Sequence, residues 1–187
     1  MTTTLRKIFV PALACLVLSA CSGQLYKVAT PPKIVPPTLT ADATALSATA
    51  KALSGDEAMQ QFDANLLLAG LVAVDVRLAN RTAELVQFTL LRPELHDSGN
   101  TLFKLLTPQQ ALKRVMRYYG NRLYAKAAYA HTLADYETLA LPLTATFAPQ
   151  AERRGFLFFE TKADATTLTG LTLALNGLPT PITLKLD

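Results

Sequence analysis

The chain has 187 residues, half of them hydrophobic and 17% charged, with 18 Lys and Arg against 14 Asp and Glu, no Trp and two Cys. That length suits one domain with a real core plus extensions, and a formal charge of +4 makes no general case for nucleic acid. Both cysteines, Cys15 and Cys21, lie in the first 21 residues, so the rest of the chain holds no cysteine for a disulfide scaffold, a thiol enzyme or a cysteine zinc site.

Arg6 and Lys7 are the only charges in the first 20 residues. Ile8-Phe9-Val10 and residues 12–18 follow as an apolar run interrupted by Pro11. A basic start, a short apolar run and small residues at its end describe a secretory signal. A membrane-spanning helix needs about 20 apolar residues, and this run stops at Ser19. One reading is an ordinary signal peptide cut after Ala20. The preferred reading rests on Leu18-Ser19-Ala20-Cys21, which resembles the lipobox of bacterial lipoproteins. That resemblance implies removal of residues 1–20, alkylation of the Cys21 thiol by diacylglycerol, and Cys21 as the mature N-terminus. Two or more acyl chains hold a protein firmly, where one holds marginally. In enterobacterial lipoproteins Asp at the next position favours the inner membrane, so Ser22 implies the outer membrane, with the domain facing the periplasm. Removing the leader leaves 16 basic residues against 14 acidic ones, a net +2.

Residues 21–40 hold Pro31-Pro32 and Pro36-Pro37 with little to bury. Proline fixes φ and removes donors, so the stretch reads as a semi-rigid spacer reaching roughly 50–60 Å. The alternative is a loop packed along the domain. Residues 41–63 read as two N-terminal helices. The first is Ala-rich and ends at Ser54-Gly55; the second opens on Asp56 and Glu57, which suit the positive end of a helix dipole, with Met59 and Phe62 turned inward.

Residues 64–187 carry the strand signals. Val72, Val74, Val76 and Leu78 alternate with Ala73, Asp75 and Arg77, predicting one buried and one wet face. Asn80-Arg81-Thr82 reads as a turn, after which residues 84–91 return with Val86, Phe88 and Leu90 inward. Asp97-Ser98-Gly99-Asn100 is a turn signal before a short strand at residues 101–106. Residues 141–147, 154–160, 167–175 and 180–186 complete about seven strands, the last two joined at Asn176-Gly177. The fold class expected is mainly β with helical additions: an immunoglobulin-like antiparallel β-sandwich with an inserted helical segment and N-terminal helices.

Two runs carry a further resemblance. Phe62-Asp63-Ala64-Asn65-Leu66-Leu67-Leu68-Ala69-Gly70 onward to Asn80, and Arg153-Arg154-Gly155-Phe156-Leu157-Phe158-Phe159, are similar to a group of uncharacterised outer-membrane lipoproteins with an immunoglobulin-like fold. The resemblance spans most of residues 56–187. It implies a fold and a location and supplies no catalytic residues.

The helical insert, residues 107–137, starts at Thr107-Pro108-Gln109-Gln110, an N-cap, a first-turn proline and a capping-box glutamine. Leu112, Val115, Met116 and Tyr119 form an apolar stripe at helical spacing. Gly120-Asn121 ends this helix, and a second follows, with Leu123, Ala127 and Ala130 placed to pack. Lys113, Arg114, Arg117, Arg122 and Lys126 precede the insert's first acid, Asp135, and Tyr118, Tyr119, Tyr124 and Tyr129 are interleaved. Lys113, Arg114, Arg117, Tyr118, Arg122 and Lys126 are therefore the candidate partner-binding residues, suited to an anionic surface or an acidic protein. The competing reading makes the cations a solvated outer face and the tyrosines a cover for one edge of the sandwich.

Catalytic signals are sparse. His131 and Asp135 stand at i, i+4, but two ligands are too few for a metal. His96-Asp97 reads as a solvated turn. There is no G-x-S-x-G, H-E-x-x-H or phosphate loop, and Glu152 and Glu160 bracket the aromatic strand with no placed carboxylate opposite. The expectation is a lipid-anchored, non-catalytic envelope lipoprotein, without cofactor or metal. Its partners would be the membrane and another envelope protein or anionic surface, not nucleic acid. The alternatives are a structural or stress-related lipoprotein without a specific site, and a hydrolase with a loop-built site.

Overall fold

The computed structural model describes residues 24–33, 40–42, 46–88, 90–121, 125–161 and 168–186. The leader with Cys21, and Arg122, Leu123 and Tyr124 of the insert, lie outside the described residues. Ten strands and three helices run in the order β1 (Thr40–Asp42), β2 (Leu46–Ala52), α1 (Gly55–Phe62), β3 (Leu71–Asn80), β4 (Val86–Phe88), β5 (Arg92–His96), β6 (Leu102–Leu106), α2 (Pro108–Tyr118), α3 (Lys126–Leu139), β7 (Ala145–Phe147), β8 (Glu152–Glu160), β9 (Leu171–Asn176) and β10 (Ile182–Leu186). The chain is mainly β with helical additions.

Eight strands form one sheet in the order β1-β2-β3-β8-β6-β5-β9-β10. β6 turns the corner: Leu102 and Phe103 pair with β5, while Lys104, Leu105 and Leu106 pair with β8. The two halves thus face each other, and β10 comes round to approach β1 and β2. Their shared core is largely aliphatic, with Val72, Val74, Val76 and Leu78 of β3 against Leu171, Leu173, Leu175, Ile182, Leu184 and Leu186 of β9 and β10, and with Phe147 and Phe159 joining them. The β9–β10 hairpin closes through residues 177–181, longer than a two-residue Asn-Gly turn; its Gly177 has φ +86° and a Cβ there would strike the Leu90 carbonyl.

The first half of the sheet is covered on its outer face as well. There Leu71, Ala73, Phe156 and Phe158 meet Phe62 of α1, Leu112, Val115 and Met116 of α2, and Tyr136 and Leu139 of α3. This corrects the one-wet-face reading of β3. Asp75, expected in water, is wholly buried; Arg154 Nε donates to both its oxygens at 2.9 and 3.2 Å, and Arg154 Nη2 also bonds it. A buried carboxylate needs such a partner, and the guanidinium fork supplies it in a bidentate fashion.

Three other expectations need correcting. Residues 46–52 form β2 rather than a helix, pairing Ala48 with Leu78 and Ala50 with Val76. Alanine's helix preference is a few tenths of a kcal/mol per residue and yields to a full ladder beside β3. Ser54 consequently ends no helix but starts α1, accepting from Glu57 N–H at 3.3 Å while Glu57 accepts from Ser54 N–H at 3.0 Å. Residues 41–63 are therefore one strand-and-helix piece of the domain, in which Phe62 is buried but Met59 is 45% exposed.

β4 does not return beside β3; it pairs with β7, Val86 is buried and Leu90 is exposed. Asn80 fixes that departure, its buried amide donating to Glu84 O at 2.7 Å and Ala148 O at 3.1 Å. Finally, residues 24–33 do not extend as a spacer. Tyr26, Val28 and Ala29 are buried against the helices, as in the alternative packed-loop reading.

Candidate functional site

The candidate site is the outer layer formed by α1, α2, α3 and the strap of residues 24–33. α2 begins as its residues dictate: Thr107 Oγ1 accepts from Gln110 N–H at 3.2 Å, Gln110 Oε1 accepts from Thr107 N–H at 2.9 Å, and Pro108 opens the first turn. Ala111, Leu112, Val115 and Met116 are buried. Tyr119, expected in the stripe, is 40% exposed, and its hydroxyl instead brackets Asn65, donating to Asn65 O at 3.2 Å and accepting from Asn65 N–H at 3.0 Å.

α3 presents a different face from the one expected. Ala128, Thr132, Tyr136 and Leu139 are buried, whereas Ala127 and Ala130 are exposed. The shift of one position places Tyr136 in an aromatic cluster, with ring centroids 5.2 Å from Phe62 and 5.5 Å from Phe158. Its hydroxyl has no hydrogen-bond partner among the described residues, and burial pushes its pKa up.

The candidate cations separate into two kinds. Arg114 turns inward, with Nη1 2.6 Å from Glu160 Oε1 and Nε donating to Ala69 O at 3.0 Å. It fastens α2 to β8 and is removed from the contact set. Lys113, Arg117 and Lys126 are exposed and have no ion pair among the described residues. Tyr118 is 43% exposed, its ring 5.0 Å edge-on to Tyr119. Arg122 lies outside the described residues, so its part in the set is not described. Lys113, Arg117, Tyr118 and Lys126 remain as the outward surface.

The strap is the feature that sequence reasoning missed. Gln61 of α1 is fully buried, and its side chain joins two strap positions, donating to Ala29 O and accepting from Lys33 N–H at 3.0 Å. The backbone adds a bond from Ala29 N–H to Gln61 O at 2.8 Å, and Asp63 Oδ2 accepts from Lys27 N–H at 3.2 Å. On α3, Thr132 Oγ1 accepts from Leu25 N–H at 2.9 Å. Tyr26 packs its ring 6.5 Å from Tyr119 and bonds Asn121 Nδ2 through its hydroxyl at 2.6 Å. Gln24 lies between His131 and Asp135, bonding both with its amide. The i, i+4 pair that resembled half a metal site thus holds the strap. The signal available in sequence was the cluster Leu25, Tyr26, Val28 and Ala29 just ahead of the prolines.

The two glutamates that bracket the aromatic strand are both paired with arginines. Glu160 pairs with Arg114, and Glu152 lies 3.3 Å from Arg81 Nη2. His96 ends β5 half-buried rather than sitting in the turn that Asp97 caps. Among the described residues no group of three or more His, Cys, Asp or Glu could hold a metal, and no helix is long and apolar enough to cross a membrane. A cleft of about 490 Å³ opens at one end of the inner core, lined by Leu53, Leu67, Val72, Leu171 and Leu186, with the Lys51–Glu57 ion pair among its lining. A smaller one of about 170 Å³ lies between the start of α2 and the end of α3.

The runs around Phe62 and Arg154 also resolve into packing. Phe62 centres the aromatic cluster, Arg154 pairs with Asp75, and Gly155 lets the backbone of Ala140 and Leu141 cross β8, where a Cβ would fall 2.5 Å from Leu141 N.

No protein-family model matches the chain, and no curated protein does. Among solved structures the chain is similar to the yjhA protein from Bacillus subtilis, at 10% identity and a TM-score of 0.44, covering 82% of this chain and 100% of that one. It is also similar to a conserved hypothetical protein from Bacillus anthracis, at 12% identity and a TM-score of 0.39, covering 80% of this chain and 95% of that one.

Proposed function

We propose that this is a lipid-anchored, non-catalytic lipoprotein of the outer membrane, facing the periplasm, whose helical layer contacts an envelope protein or anionic surface. The observation that carries the reading is the pairing of the Leu18–Cys21 motif with an outward set of Lys113, Arg117, Tyr118 and Lys126 that the fold does not use. An immunoglobulin-like classification belongs to the same proposal. Lettered A to G, strands β2, β3, β5, β6, β8, β9 and β10 give A-B-E-D in one half of the sheet and C-F-G in the other, which is the constant-type order. The helical insert then falls between strands D and E.

The test has two arms. Mass spectrometry of the mature N-terminal peptide should find diacylglycerol on Cys21, and Cys21→Ala should release the protein from the membrane fraction. In crosslinking on cells, Lys113→Glu with Arg117→Glu should reduce the contacts made by the anchored protein. Unmodified Cys21 would overturn the anchor, and unchanged crosslinking would overturn the surface. The second outcome favours a structural envelope lipoprotein, a reading that Arg114's commitment to Glu160 supports.

A further inference from the structure

We propose that the helical layer lies on the headgroups of the membrane that holds the anchor, with anionic phospholipid as its ligand. The inference deepens the reading above and rests on acylation of Cys21.

Reach is the first argument. Gln24 is seated on α3 through His131 and Asp135, and Leu25 through Thr132. Three peptide steps separate Cys21 from Gln24, and at about 3.6 Å each they span at most about 11 Å. Acyl chains on Cys21 would therefore enter the bilayer close to the surface of α3, not at the far end of a spacer.

Attachment is the second. Detaching the strap would strip Gln61, Thr132 and Asn121 of partners and expose Tyr26, Val28 and Ala29. Burying apolar groups and pairing buried polar ones both favour the closed form. The strap that follows Cys21, from Gln24 onward, is thus built into the domain.

Charge is the third. Lys27 and Lys33 on the strap, Lys113 and Arg117 on α2 and Lys126 at the start of α3 are all exposed. Of the acids on these elements, Glu57 is paired with Lys51 and Asp135 bonds Gln24, while Asp56, Asp63 and Glu137 are exposed, so the exposed cations outnumber the exposed acids five to three. Basic side chains close to a bilayer attract anionic lipid, and tyrosine is enriched at headgroup depth. Tyr118 and Tyr119 sit beside the strap on the last turn of α2.

The chain lacks Trp, so Tyr118→Trp gives a background-free reporter. The full-length acylated protein would be placed in vesicles of phosphatidylcholine alone, or of phosphatidylcholine with phosphatidylglycerol and brominated acyl chains. Expected results are a blue shift and quenching that strengthen with the anionic lipid, and loss of both in Lys113→Glu/Arg117→Glu/Lys126→Glu protein that still floats with the vesicles. The unsubstituted chain supplies a second measurement: acetylation of Lys27, Lys113 and Lys126 should fall severalfold on anionic vesicles while Lys185 on β10 stays reactive. Emission and labelling indifferent to lipid charge, with the protein still floating, would overturn the docking and leave the anchor standing. An N-terminal peptide without diacylglycerol would overturn both.

Discussion

The two faces of the β2-β3-β8-β6 half-sheet are closed by different means. The inner face meets another half-sheet, and apolar side chains of period two interdigitate there, with Asn80 at its end as a buried polar group. The outer face meets three helices and an irregular strap, and fully buried polar groups lie there: Gln61 of α1 and Thr132 of α3 come with that layer, while Asp75 stands on β3 itself against Arg154. The reason is backbone chemistry. A strand satisfies its own amides in a ladder, whereas a strap brings unpaired N–H and C=O groups that side chains must meet. The inner face is consequently a generic apolar core, and the outer one is a specific assembly that carries the chain's entry point and the proposed contact surface.

Substitutions can break this contrast. Phe62→Ala opens a cavity at the centre of the aromatic cluster and should cost about 4 kcal/mol in urea unfolding, more than truncating any single valine of the inner face. Asp75→Ala leaves Arg154 without its carboxylate and should cost about 3 kcal/mol, with Asp75→Leu/Arg154→Met recovering most of it by thermal unfolding. Gln61→Leu should cost about 2 kcal/mol. Its diagnostic is proteolysis, because trypsin should then cut after Lys27 and Lys33, which the closed strap resists.

Smaller effects sharpen the division among the basic residues. Arg114→Ala should cost about 1 kcal/mol by loosening α2 from β8, while Lys113→Glu/Arg117→Glu should stay within about 0.5 kcal/mol in the same melts. The smallest effect concerns Glu57. Burial pushes its pKa up, but bonds from Lys51 and from the Ser54 backbone outweigh this and hold it below its ordinary value of 4.5. A lowered folded pKa stabilises above the unfolded value and is lost as pH falls through the folded one. Wild type should therefore lose slightly more stability than Glu57→Gln on acidification below about pH 4.5, as read from paired melts.

Particular residues show where sequence reasoning succeeded. Thr107-Pro108-Gln109-Gln110 starts α2 as expected because a capping box is closed by atoms three residues apart. Leu71–Asn80, the aromatic strand and the Asn176-Gly177 hairpin follow equally local rules. Residues 46–52 failed because alanine fits either a helix or a small-residue strand, and only the free edge of β3 chose between them. The second insert helix was found, but its buried face was displaced by one position, since an alanine-rich helix offers no strong apolar contrast.

The sequence by itself determined the mainly β class, the capping box of α2 and most strand positions, each set by neighbours within a few residues. Only the tertiary structure decided which charges are buried. Asp75 and Arg77 are indistinguishable by alternation, yet Asp75 is wholly buried against Arg154 while Arg77 stays partly exposed beside Glu152; Arg114 and Arg117 share one helix, yet Glu160 claims only the first. It also turned residues 24–33 from a spacer into part of the domain. These outcomes depend on partners between about thirty and more than a hundred residues away, and no local pattern records what will cover a face.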